Sequence, residues 1–174
     1  MFSEDHPAGK TVTASVGTII FRRRPLRVLT GIRKNWPWEG YRLVVFGGCI
    51  NPLRDKTALD AAQREAMEET GCVLILEDFN FLGAYGPQSY HHELSFDYEG
   101  KKIVAKATSK KISKEAKFVM LAYYAEHLAG IPRDNKEISK LEFIEPEILA
   151  QNGLALAFDQ ALILADFYKK IKKK

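Results

Sequence analysis

The chain has 174 residues, 46% apolar and 28% charged with a formal net charge of +4, the balance of one globular domain with room for a sizeable core. Two cysteines, Cys49 and Cys72, with no C-x-x-C or His/Cys cluster, exclude a disulfide scaffold and structural zinc and point to a reducing, cytoplasmic setting. No apolar run approaches the roughly 18 residues that a membrane span needs, and the first ten lack an apolar leader core, so neither spanning nor secretion is expected.

In chain order, residues 1–10 read as a flexible N-terminus of a single domain covering 1–174, which ends in a basic tail at 170–174. Thr11–Phe21 is rich in β-branched and apolar residues and predicts a buried strand. RRRP supplies a turn, and Leu26–Ile32 predicts a second strand. KNWPWEGY is a loop. YRLVVFGG then runs from strand into the pair Gly47–Gly48, where the backbone can turn sharply or approach a ligand. Thr57 and Asp60 form a capping-box-like start for the helix ALDAAQREAMEET, with Gly71 as its terminator. Leu59, Ala62 and Ala66 are the expected packing stripe of this helix.

Strands are predicted over Phe79–Tyr85 and Lys117–Ala125. The connection between them, 86–116, is too long to be passive and predicts a hairpin or a flap. Ile138–Ile144 alternates as a strand, Pro146 can open a short helix, and Leu154, Phe158, Ala161, Ala165 and Tyr168 space out a closing helix. The fold class is α/β or α+β, with helices on both faces of a sheet.

Within that helix, Glu65, Glu68 and Glu69 fall inside five residues. Like charges at these spacings repel by roughly 0.2–0.5 kcal/mol per pair, so the cluster implies a positive partner. Three carboxylates without a soft ligand suit Mg²⁺ or Mn²⁺. The chemistry this favours is metal-assisted attack of water on phosphorus.

These residues resemble the signature box of the Nudix hydrolases, G-x5-E-x7-R-E-U-x-E-E-x-G-U with U apolar. REAMEETGC matches its second half from Arg64 to Cys72. The first half departs. Counting back from Arg64 puts the box's first Glu on Lys56 and its Gly on Ile50, and Gly47–Gly48 fits only if the loop CINPLRDK is two residues longer than usual. Beyond the box, the preceding strands and KEISKLEFIEPEIL resemble the family's layout over roughly 10–150.

The resemblance implies a Nudix-type α/β/α sandwich with a mixed β-sheet. It makes Glu65, Glu68 and Glu69 metal ligands, with Arg64 orienting a glutamate by a charge-assisted hydrogen bond. It adds Glu137, six residues before Phe143, as a further ligand or base, so the catalytic set is Arg64, Glu68, Glu69 and Glu137. The family cleaves nucleoside diphosphates linked to another moiety. Pro87, sixteen residues beyond Gly71, stands where ADP-ribose hydrolases of the family carry proline, which favours ADP-ribose or a nucleotide sugar. The longer aromatic-proline motif of NADH-hydrolysing members is absent.

Substrate contacts are expected from Gly48, Arg33, Pro87 and the stacking surfaces of Trp36 and Trp38. His91 and His92 read as solvated loop residues. Two other readings stay open. Seven lysines between Lys101 and Lys117 and five in the last six residues would suit an RNA 5′-end or cap-processing hydrolase, and a ligand-sensing domain without catalysis is the other. The oligomeric state is open, a homodimer included.

Overall fold

A computed structural model of the chain describes residues 13–35, 39–86, 94–98, 100–107, 118–151, 155–156 and 160–171. Strand β1 (Thr13–Arg22) is the spine of the sheet. It runs parallel to β7 (Phe118–Glu126) over nine pairs, from Thr13↔Phe118 to Phe21↔Glu126, and β4 (Asn80–Tyr85) lies antiparallel on the far edge of β7. After the RRRP turn, β2 (Arg27–Arg33) meets β1 only at its first residues and carries β8 (Ile138–Ile144) antiparallel along its length. β3 (Arg42–Leu43) pairs with β2 and leads through β9 (Ala155–Leu156) to a hairpin of β6 (Lys101–Ala107) and β5 (Leu94–Tyr98). That hairpin is the one expected between the two strands. Parallel and antiparallel pairs coexist, so the sheet is mixed.

The apolar run of β1 makes sense because both of its faces are covered. Ile19 and Phe21 pack toward helix α3 (Gln160–Ile171), in a cluster with Tyr124 and Phe167. The Phe21–Phe167 and Tyr124–Phe167 rings lie 5.3 and 5.6 Å apart in tilted and edge-on geometry, a preferred arrangement for aromatic quadrupoles. Val16 packs on the opposite face against Ala61 and Ala62 of helix α1 (Ala58–Thr70), and Ile20 against Ala66. Helix, sheet and helix form the α/β/α sandwich.

Helix α1 starts as its sequence dictates. Thr57 accepts from the Asp60 amide while the Asp60 carboxylate accepts from the Thr57 amide, a complete capping box. Gly71 ends the helix at φ 71°, the left-handed conformation that glycine adopts without a Cβ penalty, and donates to the Met67 carbonyl. The buried stripe is Ala61, Ala62, Ala66 and Thr70. Leu59, expected in it, is half-buried, because the helix meets β1 one residue further round.

Two other expectations are corrected. YRLVVFGG is a strand only at Arg42–Leu43. The backbone of the next two residues is satisfied by a side chain, the buried Gln160, which accepts from the Val44 and Val45 amides at 2.6 and 3.1 Å and donates to the Val45 carbonyl. Phe46 then exchanges both backbone bonds with Thr18. The closing helix begins at Gln160, since β9 stands between Leu154 and the helical residues; Leu154 and Phe158 themselves lie outside the described residues. The short helix α2 (Pro146–Gln151) opens on Pro146 as expected.

Candidate active site

The site is built where the Gly47–Gly48 backbone crosses helix α1. A Cβ on Gly48 would stand 2.6 Å from Glu65 Oε2, and one on Gly47 would stand 2.0 Å from the Val16 carbonyl oxygen. At Gly47 only a glycine permits this approach, whereas a Cβ at Gly48 would displace the Glu65 carboxylate. The Gly47 amide uses the approach to donate to Glu69 Oε2 at 2.7 Å. The glutamates also occupy an unfavourable end of the helix. Its last turn has no basic residue, and the macrodipole disfavours a carboxylate there by about 0.3–1 kcal/mol.

Arg64 answers part of this charge. Its Nη1 donates to Glu65 Oε1 at 2.6 Å and to Glu68 Oε2 at 3.2 Å, as the resemblance implied. Its remaining face forms a fork with Asp55: Nε to Oδ1 and Nη2 to Oδ2, both at 2.8 Å. Such planar two-point pairs are among the strongest hydrogen bonds a guanidinium makes. The Asp55 side chain is only 2% exposed. Held first by Arg64 and then by the Asn51 amide, its carboxyl falls to about 2, and the same partnership keeps Arg64 charged. Exposed Arg54 donates to Glu68 Oε1 at 3.2 Å from the other side.

The divergent half of the box is therefore resolved one residue from where the spacing put it. Lys56, in the position of the expected carboxylate, is exposed, and Asp55 faces inward instead. The longer loop accommodates this by folding on Asn51, whose carbonyl accepts the Arg54 and Asp55 amides and whose Oδ1 accepts the Leu53 amide. Asp55 was missed because counting back from Arg64 assumes a fixed register. An acid nine residues before Arg64, in a loop of altered length, was the available signal.

Glu69 is the opposite case. Burial, reinforced by the charges of Glu65 and Glu137, pushes its carboxyl up to about 7, against the pull of the Gly47 amide and Arg33. The charges of Glu137 and Arg33 thus reach the same carboxyl as that of Glu65. Glu137 precedes β8, with its side chain 38% exposed and Lys136 Nζ 4.0 Å away. Arg33 is half-buried at the end of β2. Trp36, Trp38, Pro87, His91 and His92 lie outside the described residues.

The three helical glutamates do not form a ready-made cage. Among the described residues, no three His, Cys, Asp or Glu side chains are close enough together to hold a metal ion, because Arg64 draws Glu65 and Glu68 while Gly47 holds Glu69. The donor chemistry nevertheless fits a hard divalent cation. All donors are carboxylate oxygens, and one of them, Glu69, is largely buried with a single amide donor among the described residues, Gly47. Glu65, Glu68, Glu69 and Glu137 are the residues that would hold it.

The loop bearing Glu137 contributes two residues that the sequence reading passed over. Asn135 Oδ1 accepts the amides of Glu137 and Ile138 at 2.7 and 2.8 Å, and its Nδ2 donates to the Glu69 carbonyl at 2.6 Å. Asp134 accepts the Leu141 amide. The dipeptide Asp134–Asn135 just before a predicted strand was a turn signal, without any indication of what the turn would grip.

Of the lysines thought to attract phosphates, Lys101, Lys102 and Lys106 lie on β6, with Lys102 exposed, and the rest divide in two. Lys170 donates to the Phe81 and Leu82 carbonyls, and Lys169 pairs with Asp166, so both fasten α3 locally. Lys110, Lys111, Lys114, Lys117 and the last three residues lie outside the described residues. Cys49 and Cys72 are both free thiols, the first exposed and the second buried. Among the described residues no helix is long and apolar enough to cross a membrane.

Comparison with known proteins agrees with this geometry. A family model described as the NUDIX domain matches residues 11–167. No curated protein matches the chain by sequence. Among solved structures, the NUDIX domain of Shewanella oneidensis NrtR complexed with ADP ribose aligns with a TM-score of 0.67 at 19% identity, covering 99% of this chain and 95% of that one. A MutT/nudix family protein from Enterococcus faecalis aligns with a TM-score of 0.70 at 17% identity, over 98% of this chain and 66% of that one. A bifunctional NMN adenylyltransferase/ADP ribose pyrophosphatase from Francisella tularensis, complexed with AMP and a Mn ion, aligns at 0.58 and 17% identity, over 94% of this chain and 43% of that one. This chain thus spans less than two thirds of the length of the second and third proteins. At these identities the likeness speaks for the fold. The family match covers most of the chain, and the chain belongs to the NUDIX domain family, the Nudix hydrolases.

Proposed function

We propose that the protein is a divalent-metal-dependent pyrophosphohydrolase acting on a small nucleoside diphosphate derivative, with ADP-ribose or a nucleotide sugar as the substrate class. The observation that carries this is the meeting of two helix α1 carboxylates with the glycine pair: Glu69 accepts the Gly47 amide at 2.7 Å, and Glu65 lies where a Gly48 Cβ would stand. A bound cation would supply charge stabilisation to the diphosphate and activation of water. Glu65, Glu68, Glu69 and Glu137 would hold the cation. Arg64, anchored by Asp55, sets the directions of Glu65 and Glu68.

Glu137 takes the proton of the attacking water as the new P–O bond forms and the bridging P–O bond breaks. Its side chain is 38% exposed and has only Lys136 at ion-pair range among the pairings described. Arg33 and the Gly48 backbone are proposed to contact the diphosphate, and Trp36, Trp38 and Pro87 to hold the nucleoside end. The substrate class is supported by the relatives complexed with ADP ribose or named as an ADP ribose pyrophosphatase. The small-molecule reading is further supported by the local, structural partners of Lys169 and Lys170, since RNA binding needs many free phosphate contacts.

The test is kcat/KM for ADP-ribose, nucleotide sugars and a short 5′-triphosphate RNA at two salt concentrations, with Mg²⁺, Mn²⁺ or excess chelator. Cleavage of the small diphosphates that vanishes in chelator is expected. Turnover persisting in chelator would sink the metal dependence, and preference for the RNA with a steep salt slope would move the protein to RNA processing. Tight binding of ADP-ribose without cleavage would identify a sensor.

A further inference from the structure

We propose that Asn135 is a positioning residue that sets Glu137 against the glutamates of helix α1; this rests on the role given to Glu137 above. The end of a helix leaves its last carbonyls without intrahelical partners. Here two of them are satisfied by the loop that carries Glu137: the Glu69 carbonyl accepts from Asn135 Nδ2 at 2.6 Å and the Thr70 carbonyl accepts from the Arg133 amide at 3.0 Å. The same Asn135 side chain turns its other atom to the loop, where Oδ1 accepts the Glu137 and Ile138 amides.

One amide group therefore joins the backbone of Glu69 to the backbone of Glu137, with a hydrogen bond on each side and no intervening residue. Asn135 is itself fixed by its amide donating to the Ile138 carbonyl and its carbonyl accepting Lys34 Nζ at 2.6 Å. Lys34 in turn donates its amide to the Glu137 carbonyl at 2.7 Å. Further along, Asp134 holds the Leu141 amide beside Lys140, whose φ of 53° marks the bulge where the β2–β8 register shifts. The bulge and the latch together determine how far Glu137 projects toward the helix. An asparagine suits this task, because its short amide carries its donor and its acceptor on separate atoms that can face opposite ways.

The variant that breaks one half of this link is Asn135→Asp, with Asn135→Ala run beside it to control for the charge that Asp adds. The former keeps the acceptor for the Glu137 and Ile138 amides and loses the donor to Glu69. Misplacing a catalytic group by a fraction of an ångström costs much in rate, so kcat should fall about ten- to hundredfold with KM little changed. The decisive measurement is a cycle of Asn135→Asp, Glu137→Gln and the double variant, read both as kcat and as Mn²⁺ affinity by titration of the full chain. Once Glu137 is Gln, adding Asn135→Asp should lower neither quantity further.

Effects that simply add would overturn the proposal and leave Asn135 a structural residue. So would a Glu137→Gln variant indistinguishable from wild type in both readouts. Asn135→Ala also serves should Asn135→Asp not fold, with thermal melts of each. If no diphosphate is cleaved at all, the functional reading fails, and the Mn²⁺ cycle still decides whether Asn135 acts through Glu137.

Discussion

Asp55, in the loop before helix α1, and Glu69, in its last turn, are two acids whose environments drive them in opposite directions. Asp55 gives up water but gains both arms of the Arg64 guanidinium and the Asn51 amide, and its carboxyl drops to about 2. Glu69 gives up water for one amide from Gly47, with Glu65 and Glu137 adding like charge, and rises to about 7. Burial alone therefore does not decide what a carboxylate does; the partner set does. The satisfied acid is structural, a brace for the arginine. The other, with a single amide partner among the described residues, is the one the proposed function assigns to the cation.

The largest effect should follow from removing the unsatisfied acid. Glu69→Gln keeps an oxygen for the Gly47 amide and loses the charge, so kcat should fall by about 10²–10⁴-fold while the thermal midpoint at neutral pH holds or rises. A variant with near wild-type turnover would erase the distinction between the two acids. Gly48→Ala comes next. Its Cβ would push on the flexible end of Glu65 rather than on backbone, so steady-state kinetics should show roughly ten- to hundredfold lower kcat in a protein that melts nearly as before.

Asp55→Asn should act more weakly and indirectly. With Arg64 less firmly braced, Mn²⁺ affinity measured by titration should weaken by about tenfold. Affinity equal to wild type would mean that Arg64 needs no brace.

The smallest effects are in the pH dependence of the metal-free protein, where the two acids have opposite signs. Asp55 is depressed from 3.8, so the stability it contributes is present above about 4 and is lost as pH falls toward about 2. Glu69 is raised from 4.5, so the folded state holds its proton more tightly, and stability falls as pH rises from about 4.5 to about 7. Thermal melts across pH should show both limbs, the acid one flattened in Asp55→Asn and the neutral one in Glu69→Gln. A neutral limb that survives Glu69→Gln would place the raised carboxyl elsewhere.

Local chemistry wrote much of this protein in its sequence. The capping box at Thr57, the Gly71 terminator, the alternation of Ile138–Ile144 and the spacing of Glu65, Glu68 and Glu69 each depend on neighbours within a few residues, and each is where the sequence put it. The half-box REAMEETGC likewise led to the family. What the sequence could not determine involves partners far apart in the chain. Gln160 replaces a strand neighbour for Val44 and Val45 from 116 and 115 residues away, so YRLVVFGG reads as a longer strand than it forms.

Asp55 in place of Lys56 depends on the path of a loop folded around Asn51, which residue counting cannot follow. Asn135 reaches the Glu69 carbonyl across 66 residues. The sequence by itself determined which residues carry the charge. The tertiary structure decided which acid is neutralised and which is left unsatisfied, because that depends on donors that only folding brings within hydrogen-bond reach.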